Sequence, residues 1–489
     1  MFNRNSLAFT PGQLLAAAVA AGLAALLAFA VAPTPPRLGA ATTGDLALAE
    51  AVREAAGSDG YRALSVALVD NGVIRTAGVG DTGGPVPRPV DASTPFEIGS
   101  VPKAFTGMIL ADMAARDGLD PRSPVPGLKD SITYEELTSH RSGLPRLPGG
   151  MGMLARAIAA NYSHGNPYGG QDVSDVREAA GSAGLSGRGE VSYSNLGVAV
   201  LGNALAERAG LPYPELLKRR VLEPLGMKAT TTSIPATGRA HGYTEAGHEA
   251  DPWVGTGFLP AGIGVWSTSA DLARLAAAML TGSAPGADAA TPRFTQDQTR
   301  RVGYGWFTTK TKKGQVTWHN GGTGGFSAYV GFDRDGKRGV VVLGNTDKGV
   351  DHVGLRLLGH DAPEPSPSPQ ALIAIAGTLL LPLGAALTVW EPATRRKPTR
   401  NRPQLDRLGV VNTTATAVLL LWAAWLIGAW GALPTALFIL ATAATAAGTA
   451  LTLTRWRDLP TARQPGRRLP ALFGLLVNLA IGTALLLAT

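Results

Sequence analysis

Apolar and polar positions along this chain follow three rhythms. Over residues 45–56, Leu46, Leu48, Ala49, Val52 and Ala55 recur at helical spacing, which predicts the first helix of a folded domain. Residues 61–70 alternate at the period of a strand, Asn71-Gly72 supplies a hairpin turn, and residues 73–79 return as a second strand. The same short-strand pattern reappears far downstream over 303–309, 315–319, 327–332 and 338–343, with Asp335-Gly336 as a hairpin between the last two. Residues 350–358 read as a closing helix. Helical periods fill the interval between the strand groups, over 104–115, 173–180, 196–208, 214–221 and 270–279. Strands at both ends and helices in the middle predict an α+β fold with one antiparallel sheet joining the two ends of the domain.

The third rhythm is uninterrupted apolarity. Residues 13–32, 371–390, 409–430, 433–454 and 469–487 are charge-free over a length of about 20 residues, enough to cross a bilayer. The chain therefore divides into a signal anchor or signal peptide over 1–32, a linker over 33–44 and a folded domain over 45–360. A stiff Pro-rich spacer over 361–369 and a four-helix transmembrane region over 370–489 complete it. Retention of the first segment as an anchor is the favoured reading, because Pro33 directly follows the cleavage-like Ala30-Val31-Ala32.

Charge gives these segments a direction. The loops 391–408 and 455–468 together hold eleven lysines and arginines against Glu391, Asp406 and Asp458, a net +8 that equals the net charge of the entire chain. Basic residues gather in short cytoplasmic loops, so both loops are placed inside and residues 33–370 outside a bacterial cell membrane. The remainder of the chain is neutral overall, so the basic balance reports topology and no nucleic-acid partner is expected. The chain has no cysteine, which excludes disulfides, thiolate ligands and a cysteine nucleophile. No His, Asp and Glu set has zinc spacing, and Gly321 to Gly325 is followed by no helix with a downstream acid, so neither a metal nor an organic cofactor is expected.

The candidate chemistry begins at Ser100-Val101-Pro102-Lys103. Residues three apart share a helix face, so Lys103 would bring its amine beside the Ser100 hydroxyl and activate a weak nucleophile. Pro102 suits only a first helical turn, and the apolar run that follows predicts a buried helix beginning at the serine. A second polar helix start, Ser192-Tyr193-Ser194-Asn195, lies downstream, and the glycine-rich stretch His319-Asn320-Gly321-Gly322 overlaps the end of a strand, where it permits close backbone approach. Other features weigh less. His140 and Arg141 lie in a turn-like segment and read as structural, and Asp333-Arg334-Asp335-Gly336 lacks the terminal glutamate of a calcium loop.

Ser-x-x-Lys, then Tyr-Ser-Asn, then His-x-Gly, in that order, resembles the serine β-lactamase and penicillin-binding protein superfamily, in its class C-like branch. Residues 137–145, 223–227 and 262–273 look like structural signatures of the same branch. The resemblance spans roughly 45–360 and implies a β-lactamase/transpeptidase-like antiparallel sheet flanked by helices, with a helical subdomain. It further implies that Ser100 is acylated while Lys103 and Tyr193 share its proton. A reference pKa of about 10 makes tyrosine a poor base, so Lys103 would either stabilise its phenolate as an ammonium or act with it as a coupled pair. Asn195 would bond the lysine and the substrate amide, and the backbone N–H groups of Ser100 and Gly322 would form an oxyanion hole, with His319, Asn320 and Gly321 lining the substrate side. The branch usually has lysine where His319 stands, and that lysine helps receive a substrate carboxylate. The implied activity is therefore esterase, D-aminopeptidase or D,D-carboxypeptidase-like hydrolysis of a small molecule or peptide rather than β-lactam hydrolysis. The alternative is a catalytically weak sensor of cell-wall fragments that signals through the transmembrane helices, which also have room for a membrane-protein partner.

Overall fold

The computed structural model describes residues 9–57, 59–149, 163–362, 369–394 and 406–461, with further single positions between 153 and 160 and between 474 and 483. It separates into two compact units, Pro36–Pro365 on one hand and Met1–Pro35 with Ser366–Thr489 on the other.

The first unit is built on a nine-stranded sheet. In chain order the strands of this unit are β1 (Thr42–Gly44), β2 (Ala63–Asp70), β3 (Val73–Gly80), β4 (Phe96–Glu97), β5 (Gly242–Tyr243), β6 (Glu249–Ala250), β7 (Trp266–Ser267), β8 (Phe294–Thr295), β9 (Arg300–Val302), β10 (Phe307–Thr311), β11 (Gly314–Gly322), β12 (Ser327–Asp333) and β13 (Arg338–Gly344). The large sheet runs β1-β3-β2-β13-β12-β11-β10-β9-β8, antiparallel throughout. Its centre joins the two ends of the domain, with Ala67 opposite Val341 and Asp70 opposite Arg338. The helices of the unit are α2 (Leu46–Ala56), α3 (Pro102–Asp117), α4 (Tyr134–Thr138), α5 (Val173–Ser182), α6 (Asn195–Ala209), α7 (Tyr213–Leu217), α8 (Ser269–Thr281) and α9 (Asp351–Leu357), counted after α1 (Pro11–Val31) of the other unit.

Strand alternation assigns the two sheet faces to two cores. Leu64, Val66, Tyr329, Val340 and Val342 pack with Leu48 and Val52 of α2 and Val353 of α9. Ala67, Val330, Phe332 and Val341 face the larger core of α3, α6 and α8. Every residue of α3 from Pro102 to Met113 is buried, so this helix runs through the middle of the domain with no polar face until its last turn. Gly118, with φ 68°, ends it in the left-handed conformation that glycine adopts without strain.

Where the structure departs from the sequence reading, the backbone supplies the reason. The Asn71-Gly72 hairpin has both turn residues at positive φ. The β12–β13 connection instead places Lys337, at φ 51°, in the left-handed region, so its turn is longer than Asp335-Gly336. The strand expected from 303 starts only at Phe307, because Gly305 turns tightly against the Lys103 carbonyl, where a Cβ would lie 2.2 Å from the oxygen. The helical run expected over 214–221 is α only to Leu217 and π-helical over Lys218–Leu222. Strands β1, β8 and β9 are two or three residues long, too short to show alternation.

The second unit contains α1, α10 (Pro369–Thr394), α11 (Arg407–Ile427) and α12 (Ala432–Leu453), and among the described residues all four helices are long and apolar enough to cross a membrane. The fifth apolar segment, 469–487, lies largely outside the described residues. Trp425 Nε1 donates to the Val31 carbonyl at 2.7 Å and Trp390 Nε1 to Ala444 at 2.8 Å, so these tryptophans tie helices of this unit together.

Candidate active site

Three segments converge on Ser100. The first is the turn into α3. β4 pairs with β7, Ile98 N donates to the Val265 carbonyl at 3.0 Å, and the chain then turns so that Ser100 directly precedes the helix. The helical spacing predicted from Ser-x-x-Lys is realised, with Lys103 Nζ 2.6 Å from Ser100 Oγ. The same nitrogen donates to the Ala261 carbonyl, also at 2.6 Å. Lys103 is 1% exposed, and loss of hydration pushes its pKa well below the usual 10.5, with Arg146 adding a smaller push in the same direction. A lysine so placed can hold a lone pair toward the serine hydroxyl.

The second segment carries Tyr193 just ahead of α6. The loop around His140–Arg146 holds it in place. Ser194 N donates to His140 Nδ1 at 3.2 Å, Ser194 Oγ to the Pro145 carbonyl at 2.7 Å, and Asn195 N to the Arg146 carbonyl at 3.0 Å. The His140 ring lies against Tyr193, centroids 4.5 Å apart, and His140 itself sits at φ 59°. Read as structural from sequence, His140 buttresses the tyrosine as a positioning residue. The Tyr193 phenol hydrogen-bonds Ser100, and burial pushes it up to about 12. Burial thus disfavours the phenolate that one sequence reading required.

Asn195 departs from its expected role. Its Nδ2 donates to Tyr168 Oη at 3.0 Å and its Oδ1 has no partner, so the anticipated bond to Lys103 is not made. Tyr168 is a site neighbour that sequence reasoning missed, since a lone tyrosine in a loop carries no pattern.

The third segment is the end of β11. His319 is fully buried, and its Nδ1 donates to the Asn320 carbonyl at 2.6 Å, which makes Nε2 an acceptor without a partner. Burial lowers its pKa to about 3, with Lys103 adding to the effect, so this strand offers the site a neutral imidazole. Asn320 is placed differently from the expectation. Side chains alternate along a strand, so it faces the α2 and α9 side, where its Nδ2 donates to Asp351 Oδ1 at 2.8 Å, and it does not line the Ser100 side. Gly321 and Gly322 bring backbone against backbone. A Cβ on Gly321 would lie 2.0 Å from the Ile98 carbonyl oxygen and 2.9 Å from Ser100 N, and one on Gly99 would lie 2.5 Å from Gly322 N. The N–H groups of Ser100 and Gly322 are thereby gathered at one place, a geometry suited to stabilising an oxyanion.

Beneath this junction lies a further residue that sequence reasoning missed. Glu97 is completely buried, with Oε1 accepting from Trp253 N at 3.1 Å and Oε2 3.2 Å from Thr323 Oγ1, so it spans from the Ser100 turn to the residue after Gly322. Burial pushes its carboxyl up to about 8 from 4.5. Between those values the folded protein keeps a proton that the unfolded chain releases, so stability falls as pH climbs from 4.5 to 8. Glu97→Gln removes this penalty and keeps a neutral side chain of the same shape. Relative to wild type, the variant should gain on the order of 4 kcal/mol between pH 5 and pH 9, about 5 to 8 °C in Tm. Parallel melting curves at all pH values would contradict this account.

Among the described residues no cluster of three or more metal-ligating side chains is present.

Comparison with known proteins agrees with this fold. Residues 48–363 match the family model described as Beta-lactamase. A beta-lactamase of Pseudomonas fluorescens is 31% identical over 197 residues, which cover 38% of this chain and 50% of that protein. Penicillin-binding protein 4* of Bacillus subtilis (strain 168) is 25% identical over 297 residues, 54% of this chain and 64% of the relative. The chain thus spans half to just under two thirds of these relatives. In fold, it superimposes on the crystal structure of a beta-lactamase/D-alanine carboxypeptidase from Pseudomonas syringae with a TM-score of 0.55 at 20% identity, covering 65% of this chain and all of that one.

Proposed function

The chain belongs to the beta-lactamase family of serine hydrolases, and on that premise we propose that it is a membrane-tethered hydrolase that forms an acyl-enzyme at Ser100 on an ester, amide or peptide, with D-amino-acid or cell-wall-derived compounds as the substrate class. The observation that carries this reading is the contact of Ser100 Oγ with both Lys103 Nζ, at 2.6 Å, and the Tyr193 phenol. In the proposed acylation, the hydroxyl passes its proton to the neutral Lys103 amine as Oγ bonds to the substrate carbonyl carbon. The N–H groups of Ser100 and Gly322 hold the oxyanion. The carbonyl re-forms as the bond to the leaving group breaks, and Tyr193 relays the proton from Lys103 to that group. Water then attacks the ester by the reverse proton path and frees Ser100. With its high pKa, Tyr193 serves as a proton relay rather than as a phenolate base.

Two features support esters or peptides over β-lactams. The β11 side of the site offers neutral His319 where the branch usually has a lysine, and the buried Nε2 acceptor suits a hydroxyl or N–H of substrate better than a carboxylate. Tethering is supported by the four apolar helices, and the basic loops 391–408 and 455–468 support an outward-facing hydrolase domain. The bond from Trp425 to Val31 supports retention of α1 as an anchor.

One experiment addresses chemistry and address together. A membrane-impermeant phosphonate probe applied to intact cells should add one adduct, mapped to Ser100 and absent from Ser100→Ala. Labelling that requires lysis would overturn the topology, and no adduct in either preparation would overturn the nucleophile. Turnover of a panel of D-amino-acid esters and amides distinguishes an enzyme from a sensor, which would acylate without releasing product.

A further inference from the structure

His319 leaves the strand side of the site without a cation, yet one stands on the opposite side. Arg146 is exposed, and its guanidinium carbon lies 5.3 Å from the centre of the Tyr193 ring, whose hydroxyl bonds Ser100. Its backbone is fixed, because its carbonyl accepts from Asn195 N at 3.0 Å and from Leu196 N at 3.4 Å in the first turn of α6. Among the described residues no carboxylate lies within ion-pair distance of its side chain, whereas Arg62, Arg188, Arg220 and Arg274 each have one. Its charge reaches the reacting groups, since it adds to the lowering of Lys103 and His140 and opposes the raising of Tyr193 and Tyr168. A guanidinium held over the face of the proton-relay tyrosine, without a carboxylate partner among the described residues, is suited to receive a carboxylate in a two-pronged bond.

Building on the Ser100 acyl-enzyme reading above, we propose that Arg146 is the anion receptor of this site and that the preferred acyl donors carry a carboxylate on the α6 side of Ser100. The cation that the branch usually places on β11 is, in this chain, supplied from the loop after Pro145. Selectivity for such substrates is then electrostatic and depends on salt. Arg146 lies next to a motif but outside it, which is why the sequence pattern alone did not mark it.

The test uses two 4-nitrophenyl esters of adipic acid, one with a free distal carboxylate and one with that carboxylate methylated. The full-length protein in detergent is assayed for 4-nitrophenolate release, first turnover included. Wild type should prefer the anionic ester about 10-fold, and Arg146→Gln should collapse that ratio. Arg146→Lys should restore part of it, Arg146→Glu should invert it, and raising salt from 0.05 to 0.5 M should erode the wild-type ratio while leaving that of Arg146→Gln unchanged. A ratio common to both esters cancels any effect of Arg146 on Lys103, because both share the acylation step. Equal ratios in wild type and Arg146→Gln, with Ser100 labelled by the phosphonate, would overturn this inference alone. No release from either ester together with no Ser100 adduct would overturn the parent reading and this one with it.

Discussion

Lys103→Met is expected to lower the rate of Ser100 acylation about 10⁴-fold in a domain that still folds. Methionine has nearly the length and volume of the lysine stem, so it fills the fully buried site without leaving a large void. It removes the amine that contacts Ser100 Oγ, and leaves the hydroxyl hydrogen-bonded to a phenol already raised to about 12. Rates of phosphonate labelling and ester hydrolysis report the loss, and a decrease smaller than tenfold would remove Lys103 from the role of base. A second readout has a fixed sign. The unfolded chain holds a proton on Lys103 up to about pH 10.5, whereas the folded protein releases it at lower pH, so in that interval wild-type stability rises with pH. Methionine does not titrate. Melting curves taken from pH 7 to 10 should therefore show wild type gaining on the variant as pH rises, and an unchanging gap would mean that the buried amine keeps its ordinary pKa.

Gly321→Ala places a methyl group at the junction of β11 with the Ser100 turn, where both activity and stability should suffer. It has nowhere to go, because the Ile98 carbonyl oxygen stands 2.0 Å from where its Cβ would lie, and real contacts of this kind need more than 3 Å. Strand β11 must retreat from the Ser100 turn, and the N–H of Gly322 retreats with it. Loss of an oxyanion donor costs roughly 10² to 10³ in kcat, and the overpacked junction adds about 2 to 4 kcal/mol of destabilisation. Gly322, one residue on, has open space in the corresponding direction, so the restriction belongs to residue 321. Activity within threefold of wild type, with an unshifted Tm, would mean that the two segments separate freely and that no fixed oxyanion hole exists between them.

Much of this molecule was legible in sequence because its signals are periodic. Strands β2, β3, β11, β12 and β13, helices α2, α3, α5, α6, α8 and α9, and the four described apolar helices of the second unit fall where their patterns put them, whereas the runs over 303–309 and 214–221 do so only in part. The convergence on Ser100 was legible only in part. Spacing alone brought Lys103 to the serine, since three residues on a helix fix a distance. Asn320 shows the limit of a motif read as a line, because its neighbour His319 faces one side of the sheet and Asn320 necessarily faces the other, toward Asp351. Asn195 bonds Tyr168, a residue from a loop with no periodicity of its own. Glu97 and Arg146 escaped for a related reason. Burial of the one and isolation of the other are properties of the assembled environment, and residue identity does not carry them.

The pairing of β2 with β13 also governs when this domain can form. Arg338 Nη2 reaches Asp70 Oδ2 at 3.2 Å across 268 residues of chain, and Tyr61 Oη donates to the Gly349 carbonyl across 288. Until β13 emerges from the ribosome, β2 and β3 exist as a hairpin with an open edge, and two strands alone are marginally stable. The central sheet is therefore completed last, from its first-made and last-made strands, and the high sequence separation of its central contacts makes that closure slow. On the outward-facing topology proposed above, export would deliver some 300 residues in an unfinished state, with the exposed edge of β2 as the segment most in need of protection during transit.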